Sequence, residues 1–525
     1  MKKILIALLL SLGSLSALAA LDPGRVRQLA AEDSSDKVAA IQQITENADP
    51  DAVRVLTAMS EDSLYLAGDK AVIITDDSAF DAATGEAIKM PANPESITVN
   101  NRIRGELASA LAALKLFDAD REVRLASAEE LQSKVSAGMA PLLKKALDKE
   151  SDAEIKALLK LAYAQANLGN ADPVARLAAV KALAETSSPV IKSVLLPLTD
   201  KANEPDDKVR YEAIAAVKAI DGRLALAENV GQAFSGLSLG SILLLGALGL
   251  AITYGVMGII NMAHGELLMV GAYATYGMQT LFRAYFPDAI DWYLPAAIPV
   301  AFFAAALVGV IMERTVIRWL YGRTLETLLA TWGLSLVLIQ SARVLFGAQN
   351  VEVANPSWMS GGIEVLPNLI LPWNRIIIVG FAIFVLLLVW LLMNKTRLGM
   401  FVRAVTQNRP MAGCVGVPTS RIDTMAFALG AGIAGLGGVA LSQISNVGPD
   451  MGQGYIVDSF MVVVVGGVGQ LAGAVWAALG LGIFSKLLEG WAGAVIAKIS
   501  ILVCIIIFIQ KRPQGIFALK GRFVE

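Results

Sequence analysis

Hydrophobic and polar residues divide this chain into two unlike halves. From residue 20 to about residue 228, apolar positions recur three and four apart among frequent charges; beyond it, uncharged apolar runs of membrane-spanning length follow one another. The first half therefore predicts amphipathic helices and the second a polytopic helical bundle. Three predicted helices in the first half share an opening, Asp120 to Arg124 (DREVR), Asp172 to Arg176 (DPVAR) and Asp206 to Arg210 (DDKVR), with a degenerate copy at Asp49 to Arg54. An Asp at a helix start accepts backbone N–H bonds and suits the positive end of the helix dipole. The spacings of 52 and 34 residues match no strict period, so the pattern is that of irregular HEAT-like pairs. Ala71 to Ile74, the turn-rich stretch Asp81 to Glu86 and the prolines Pro91 and Pro94 interrupt it, which predicts a small β insertion.

The second half is organised around Gly255 to Tyr276, GVMGIINMAHGELLMVGAYATY. Between Glu266 and Arg283 lie 16 uncharged residues, which reach about 24 Å as a helix, short of the roughly 30 Å hydrocarbon layer. The second span must therefore borrow from its polar start. That places Asn261, His264 and Glu266 at or just inside a membrane boundary, where ionisable groups face a protein interior or a wet path.

Spans are expected at about Gly236–Ile260, His264–Phe282, Leu294–Met312, Leu325–Phe346, Ile376–Met393, Ile422–Ile444 and Trp491–Ile509. The positives at Arg314, Arg318 and Arg323, along Lys395 to Arg421, and at Lys511 and Arg512 mark the cytoplasmic side. Gly347 to Trp373 has neither Lys nor Arg, and Ser445 to Asp458 reads as an outer loop. Parity then requires Ser459 to Gly490 to cross an even number of times, and Gly466, Gly467, Gly469 and Gly473 offer a place to break it. The sum is about eight spans plus a broken or re-entrant segment, in an all-α fold preceded by a soluble helical domain.

Composition narrows the function classes. The 525 residues carry a net charge of −2, two cysteines and one histidine. With His264 alone, neither a zinc hydrolase nor a Ser-His-Asp site has its usual support, and no basic cluster suggests nucleic acid. Lys2 and Lys3, the apolar core Ile4 to Leu10 and Ala17-Leu18-Ala19 read as a signal peptide over residues 1–19, which exports residues 20–228 ahead of a membrane domain at 229–525. GAGIAG at Gly430 to Gly435 matches a dinucleotide fingerprint, yet it lies inside a span with no strand before it. There Gly430, Gly435 and Gly438 serve close helix packing. No G-x-x-x-x-G-K-[ST] sequence occurs, so the chain lacks the P-loop route to ATP hydrolysis and is not itself expected to be an enzyme.

LGALGLAITYGVMGIINMAHGELLMVGAY, with its Asn-x-Ala-His-Gly-Glu core, resembles the first membrane hairpin of permease subunits in the branched-chain amino acid and urea group of bacterial ABC importers, and the likeness extends over roughly Gly231 to Gly515. The resemblance implies a second permease subunit, cytoplasmic ATPase chains and a periplasmic solute-binding protein in the inner membrane, with no cofactor. Phe401 to Met425 resembles the loop that docks in the ATPase, with Arg403 and Ala404 at the start of a short helix and Gly416 at its turn. The exported extension is similar to urea-importer subunits, which makes urea the expected solute and branched-chain amino acids the alternative. Asn261, His264 and Glu266 are then the expected pathway or gate. A passive channel or secondary transporter with a fused exported domain is a further alternative.

Overall fold

The computed structural model describes residues 21–45, 50–75, 78–91, 94–132 and 135–517. The expected signal peptide and Asp49 lie outside the described residues. The chain divides into two compact units, residues 1–225 and 226–525.

The first unit holds α1 (Pro23–Gln28), α2 (Ser34–Thr45), α3 (Pro50–Ser60), α4 (Asn101–Lys115), α5 (Arg121–Leu131), α6 (Ala140–Lys149), α7 (Ala153–Asn167), α8 (Pro173–Ala184), α9 (Pro189–Leu195) and the start of α10 (Asp207–Met257). The three Asp-x-x-x-Arg openings all begin helices. Asp120, Asp172 and Asp206 accept the amides of Glu122, Val174 and Lys208, each at 2.9 Å. The arginines work elsewhere. Arg124 donates to the carbonyls of Asp118 and Ala119 and to Glu150, and Arg176 repeats this with Asn170, Ala171 and Glu204. Each arginine thus closes its own loop and ties it to an acid 26 or 28 residues on.

The expected β insertion is present, as a five-stranded antiparallel sheet in the order β4-β3-β2-β1-β5. Its strands are β1 (Leu64–Ala67), β2 (Lys70–Thr75), β3 (Ser78–Asp81), β4 (Ala87–Ile88) and β5 (Glu95–Ser96).

Hydrogen bonds from Arg124 and Arg176 hold the Glu150 and Glu204 carboxyls below the ordinary value of 4.5. A depressed carboxylate stabilises the fold above its unfolded pKa, and that contribution is lost as pH falls through the lower folded value. Glu204, whose side chain is 1% exposed, is expected to cost about 3 kcal/mol when changed to Gln, because a shielded arginine loses its partner. Thermal melts of the purified protein from pH 7 down through pH 4 check this: Glu204→Gln should melt lower at pH 7 and lose part of the acid sensitivity.

In the second unit, α10 continues to Met257, followed by α11 (His264–Tyr285), α12 (Tyr293–Thr315), α13 (Thr324–Phe346), α14 (Trp373–Lys395), the short α15 (Arg397–Gln407) and α16 (Arg409–Cys414), then α17 (Thr419–Ser442), α18 (Met451–Gly466), α19 (Leu471–Ala492) and α20 (Ala494–Lys511). Among the described residues seven helices are long and apolar enough to cross a membrane, a set that omits α11 and α18. The expected break is real: α18 and α19 form a hairpin around Gly467 and Gly469, both at positive φ. The outer loop is shorter than expected, because α18 starts at Met451 and takes in Asp458.

Loop contacts define two opposite faces. On one, β6 (Gly362–Leu366) pairs with β7 (Leu369–Pro372), Val351 bridges Val447, and Arg343 bonds Asp450 at 2.8 Å. There too the Ser357 amide and hydroxyl donate to the Asp291 carboxylate at 2.8 and 2.6 Å. We call this the hairpin face. On the other, the tail face, Ile516 and Phe517 donate to the carbonyls of Val465 and Gly466, which sets the C-terminal tail against the α18–α19 turn.

Between the faces, α11, α12 and α17 pack through small residues. A Cβ at Gly435 would stand 2.6 Å from the Ala305 Cβ, and one at Gly430 would stand 2.6 Å from the Gly249 carbonyl oxygen. The GAGIAG stretch therefore lies in the buried middle of a helix, where it brings backbones together.

Candidate functional site

α10 stops where Gly258 adopts φ +68°, a left-handed conformation that side chains disfavour. The chain then runs without helix to Ala263. Asn261 Oδ1 accepts the Ala263 amide at 3.1 Å, and the Met262 amide donates to Thr331 Oγ1 on α13 at 3.1 Å. These two bonds staple the break inside the bundle and start α11.

His264 is fully buried, and its Nε2 lies 2.9 Å from the Gly246 carbonyl oxygen of α10. A carbonyl only accepts, so Nε2 carries the proton and Nδ1 is a bare acceptor. Glu266 Oε1 accepts from Ser335 Oγ at 2.8 Å. Three buried atoms of this trio, Asn261 Nδ2, His264 Nδ1 and Glu266 Oε2, have no hydrogen-bond partner among the described residues, and neither does Ser459 Oγ on α18. A Cβ on Gly246 would stand 2.7 Å from that Ser459 oxygen, so α18 brings its hydroxyl to the same carbonyl-bearing residue that holds His264.

Depth is where expectation needs correcting. The trio was expected near a membrane boundary, but Gly249 faces both His264 Cε1 and Gly430. Gly430 is 11 residues after Thr419 and 12 before Ser442, midway along α17. The chain turns at Gly258 and re-enters, so the helical part of this crossing starts in mid-bundle. That is how a span with too few apolar residues is accommodated: its first part is irregular backbone buried in protein.

On the tail face a cleft of about 570 Å³ opens between α10, α14, α15 and the α18–α19 turn, and Arg403, Thr406 and Gln407 stand in its wall. Arg403 and Ala404 lie in the second half of α15, not at a helix start, since that helix already begins at Arg397. Gly416 sits at φ +85° in the turn between α16 and α17. Two contacts anchor α16: Arg409 pairs with Asp423 of α17, and its guanidinium stacks 4.0 Å over the Tyr321 ring.

Sequence reasoning missed three long-range polar sites. Glu313 accepts from Arg318 at 3.1 Å and from Thr424 at 2.8 Å, joining α12 to α17. Tyr293 Oη donates to the Ala354 carbonyl at 2.7 Å. Lys498 Nζ lies 3.4 Å from Asp458 Oδ2. Only the last had a local signal, and only on one side, the lone base Lys498 inside an apolar run.

Residues 232–510, the bundle just described, match the family described as branched-chain amino acid transport system / permease component. The chain belongs to this family. Among its relatives, the high-affinity branched-chain amino acid transport system permease protein LivH of Escherichia coli K12 is 30% identical over 294 residues, 54% of this chain and 94% of the relative. BraD of Pseudomonas aeruginosa, a permease protein of the same description, is 28% identical with the same coverage. A shorter match, 33% over 121 residues, joins 21% of the chain to 34% of the fructose import permease protein FrcC of Rhizobium meliloti. No solved structure matches. These relatives are transport permeases rather than enzymes, which accords with a bundle of crossing helices.

Proposed function

We propose that the chain forms the solute path of an ATP-driven importer for branched-chain amino acids, with the tail face in the cytoplasm. The observation that carries this reading is the coincidence of the family match, 232–510, with the helices that fold around the mid-bundle break. Ionisable groups held inside a membrane bundle mark routes for solutes or ions. Asn261, His264 and Glu266 act there as a gate of hydrogen-bonding groups, and their unpartnered buried atoms are the ones a passing solute would engage.

Energy comes from partner chains. Without a P-loop the permease depends on cytoplasmic ATPase subunits, which dock at α15, α16 and the Gly416 turn beside the tail-face cleft. A second permease subunit and a periplasmic binding protein complete the assembly in the inner membrane, and Gly430, Gly435 and Gly438 keep the path helices close enough to move as one body.

Urea is the second reading, and it rests on the resemblance of the N-terminal extension to urea-importer subunits. The named branched-chain relatives are covered over 94% of their own length by 294 residues, so they have no room for a counterpart of residues 21–225. In this reading that unit, exported by a signal peptide over residues 1–19, is a HEAT-like module that receives the binding protein.

Cells carrying the intact system should take up labelled leucine or urea, and inactivation of the partner ATPase should reduce that uptake to background. Uptake persisting at the full rate would instead favour a passive channel or secondary transporter.

A further inference from the structure

A separate polar feature opens towards the hairpin face. α18 carries Asp458 seven residues after its start at Met451, and α20 carries Lys498 four residues after its start at Ala494. At about 1.5 Å per residue the two charges sit roughly 10 and 6 Å along their helices from that face. Lys498 Nζ stands 3.4 Å from Asp458 Oδ2, longer than the roughly 2.7–2.9 Å of a closed charge-assisted hydrogen bond. The Asp458 and Lys498 side chains remain 25% and 55% exposed, and both line a cleft of about 320 Å³ between α10, α18, α19 and α20. Leu239, Leu243, Leu481 and Ile501 give this cleft an apolar wall, and Tyr455, Ser485 and Glu489, whose carboxylate is paired with Lys486, line it as well.

Charges inside apolar helices are costly and are retained where they meet a solute or each other. Here they meet loosely, at the edge of a space whose volume lies at the lower end of the roughly 300–1,000 Å³ typical of small-molecule sites. An acceptor-only carboxylate beside a donor-only ammonium selects a ligand with a donor at one end and an acceptor at the other.

We propose that this cleft is a recognition station for a small solute bearing an N–H donor end and an oxygen acceptor end. Asp458 accepts from the nitrogen end, Lys498 donates to the oxygen end, and the leucine and isoleucine wall holds an aliphatic side chain. A branched-chain amino acid offers both ends with full charge and an aliphatic group besides; urea offers both ends uncharged. The proposal rests on the importer reading and adds to it the residues and the chemistry of selection.

The test uses the full transporter in proteoliposomes. In a background where Cys414 and Cys504 are changed to Ala, Ser485→Cys is exposed to a membrane-impermeant thiol reagent from the hairpin-face side, with and without millimolar leucine or urea. Labelling is expected, and one of the solutes should slow it severalfold. Protection by leucine assigns the charged ligand; protection by urea assigns the neutral amide. Asp458→Asn and Lys498→Met should each abolish that protection and raise the KM for uptake about tenfold or more, the loss expected for a charged hydrogen bond. Asp458→Glu should restore part of the affinity. No labelling from that side, equal labelling with and without both solutes, or an unchanged KM in both charge variants would overturn the proposal. Failure of the importer reading shows separately, as unaltered transporter taking up neither solute with ATP, and the labelling still decides the cleft.

Discussion

Changing Gly438 to leucine is expected to abolish recovery of a folded membrane unit. A Cβ at this position would collide with the Leu268 carbonyl oxygen and lie 2.8 Å from the Ala272 amide nitrogen, both backbone atoms of α11. Extra methylenes cost about 1–3 kcal/mol even where side chains can yield. Helical backbone cannot yield, so α11 and α17 must separate. Their separation would undo the mid-bundle break as well, because Gly249 packs on both His264 and Gly430. Size-exclusion chromatography in detergent reads the outcome directly. Gly438→Leu should lose the monodisperse peak, whereas Gly480→Leu, which has open space at its Cβ, should keep it.

Arg409→Leu is expected to uncouple the permease while leaving the bundle assembled. Arg409 Nη1 donates to Asp423 Oδ1 at 3.1 Å, and the Asp423 side chain is only 5% exposed. Without the guanidinium that carboxylate is shielded and unpaired, a loss of about 3–5 kcal/mol. The strain falls on α16, whose docking also uses the stacking of Arg409 on Tyr321. ATP-dependent uptake and co-purification of the ATPase should both fall sharply, while the size-exclusion peak stays in place. The double change Arg409→Leu with Asp423→Leu should recover thermal stability without recovering coupling, since it removes the unpaired charge but not the need for the anchor.

Much of the bundle was legible from local pattern. Uncharged runs located α12, α13, α14 and α20 because lipid exposure demands continuous apolar surface, and α17 because its place inside the bundle excludes charge, while the glycines at 467 and 469 marked the turn between α18 and α19. The Asp caps of α5, α8 and α10 could be read because a cap is a contact two or three residues long. Contacts between distant residues could not. Asp458 looked like loop chemistry until Lys498, forty residues on, supplied its partner inside the membrane. The depth of His264 was hidden for the same reason: it is set by the Gly246 carbonyl and the Thr331 hydroxyl, not by the hydropathy around it. The five-stranded sheet was underestimated because β4 and β5 are two residues each, too short to show an alternating pattern.

Reconstitution of this permease with its ATPase and binding protein puts the account to its plainest trial. Proteoliposomes should accumulate labelled leucine or urea only when ATP is present on the tail-face side and the ATPase is active. Accumulation at the same rate without ATP, or ATP that is effective only from the hairpin-face side, would contradict it.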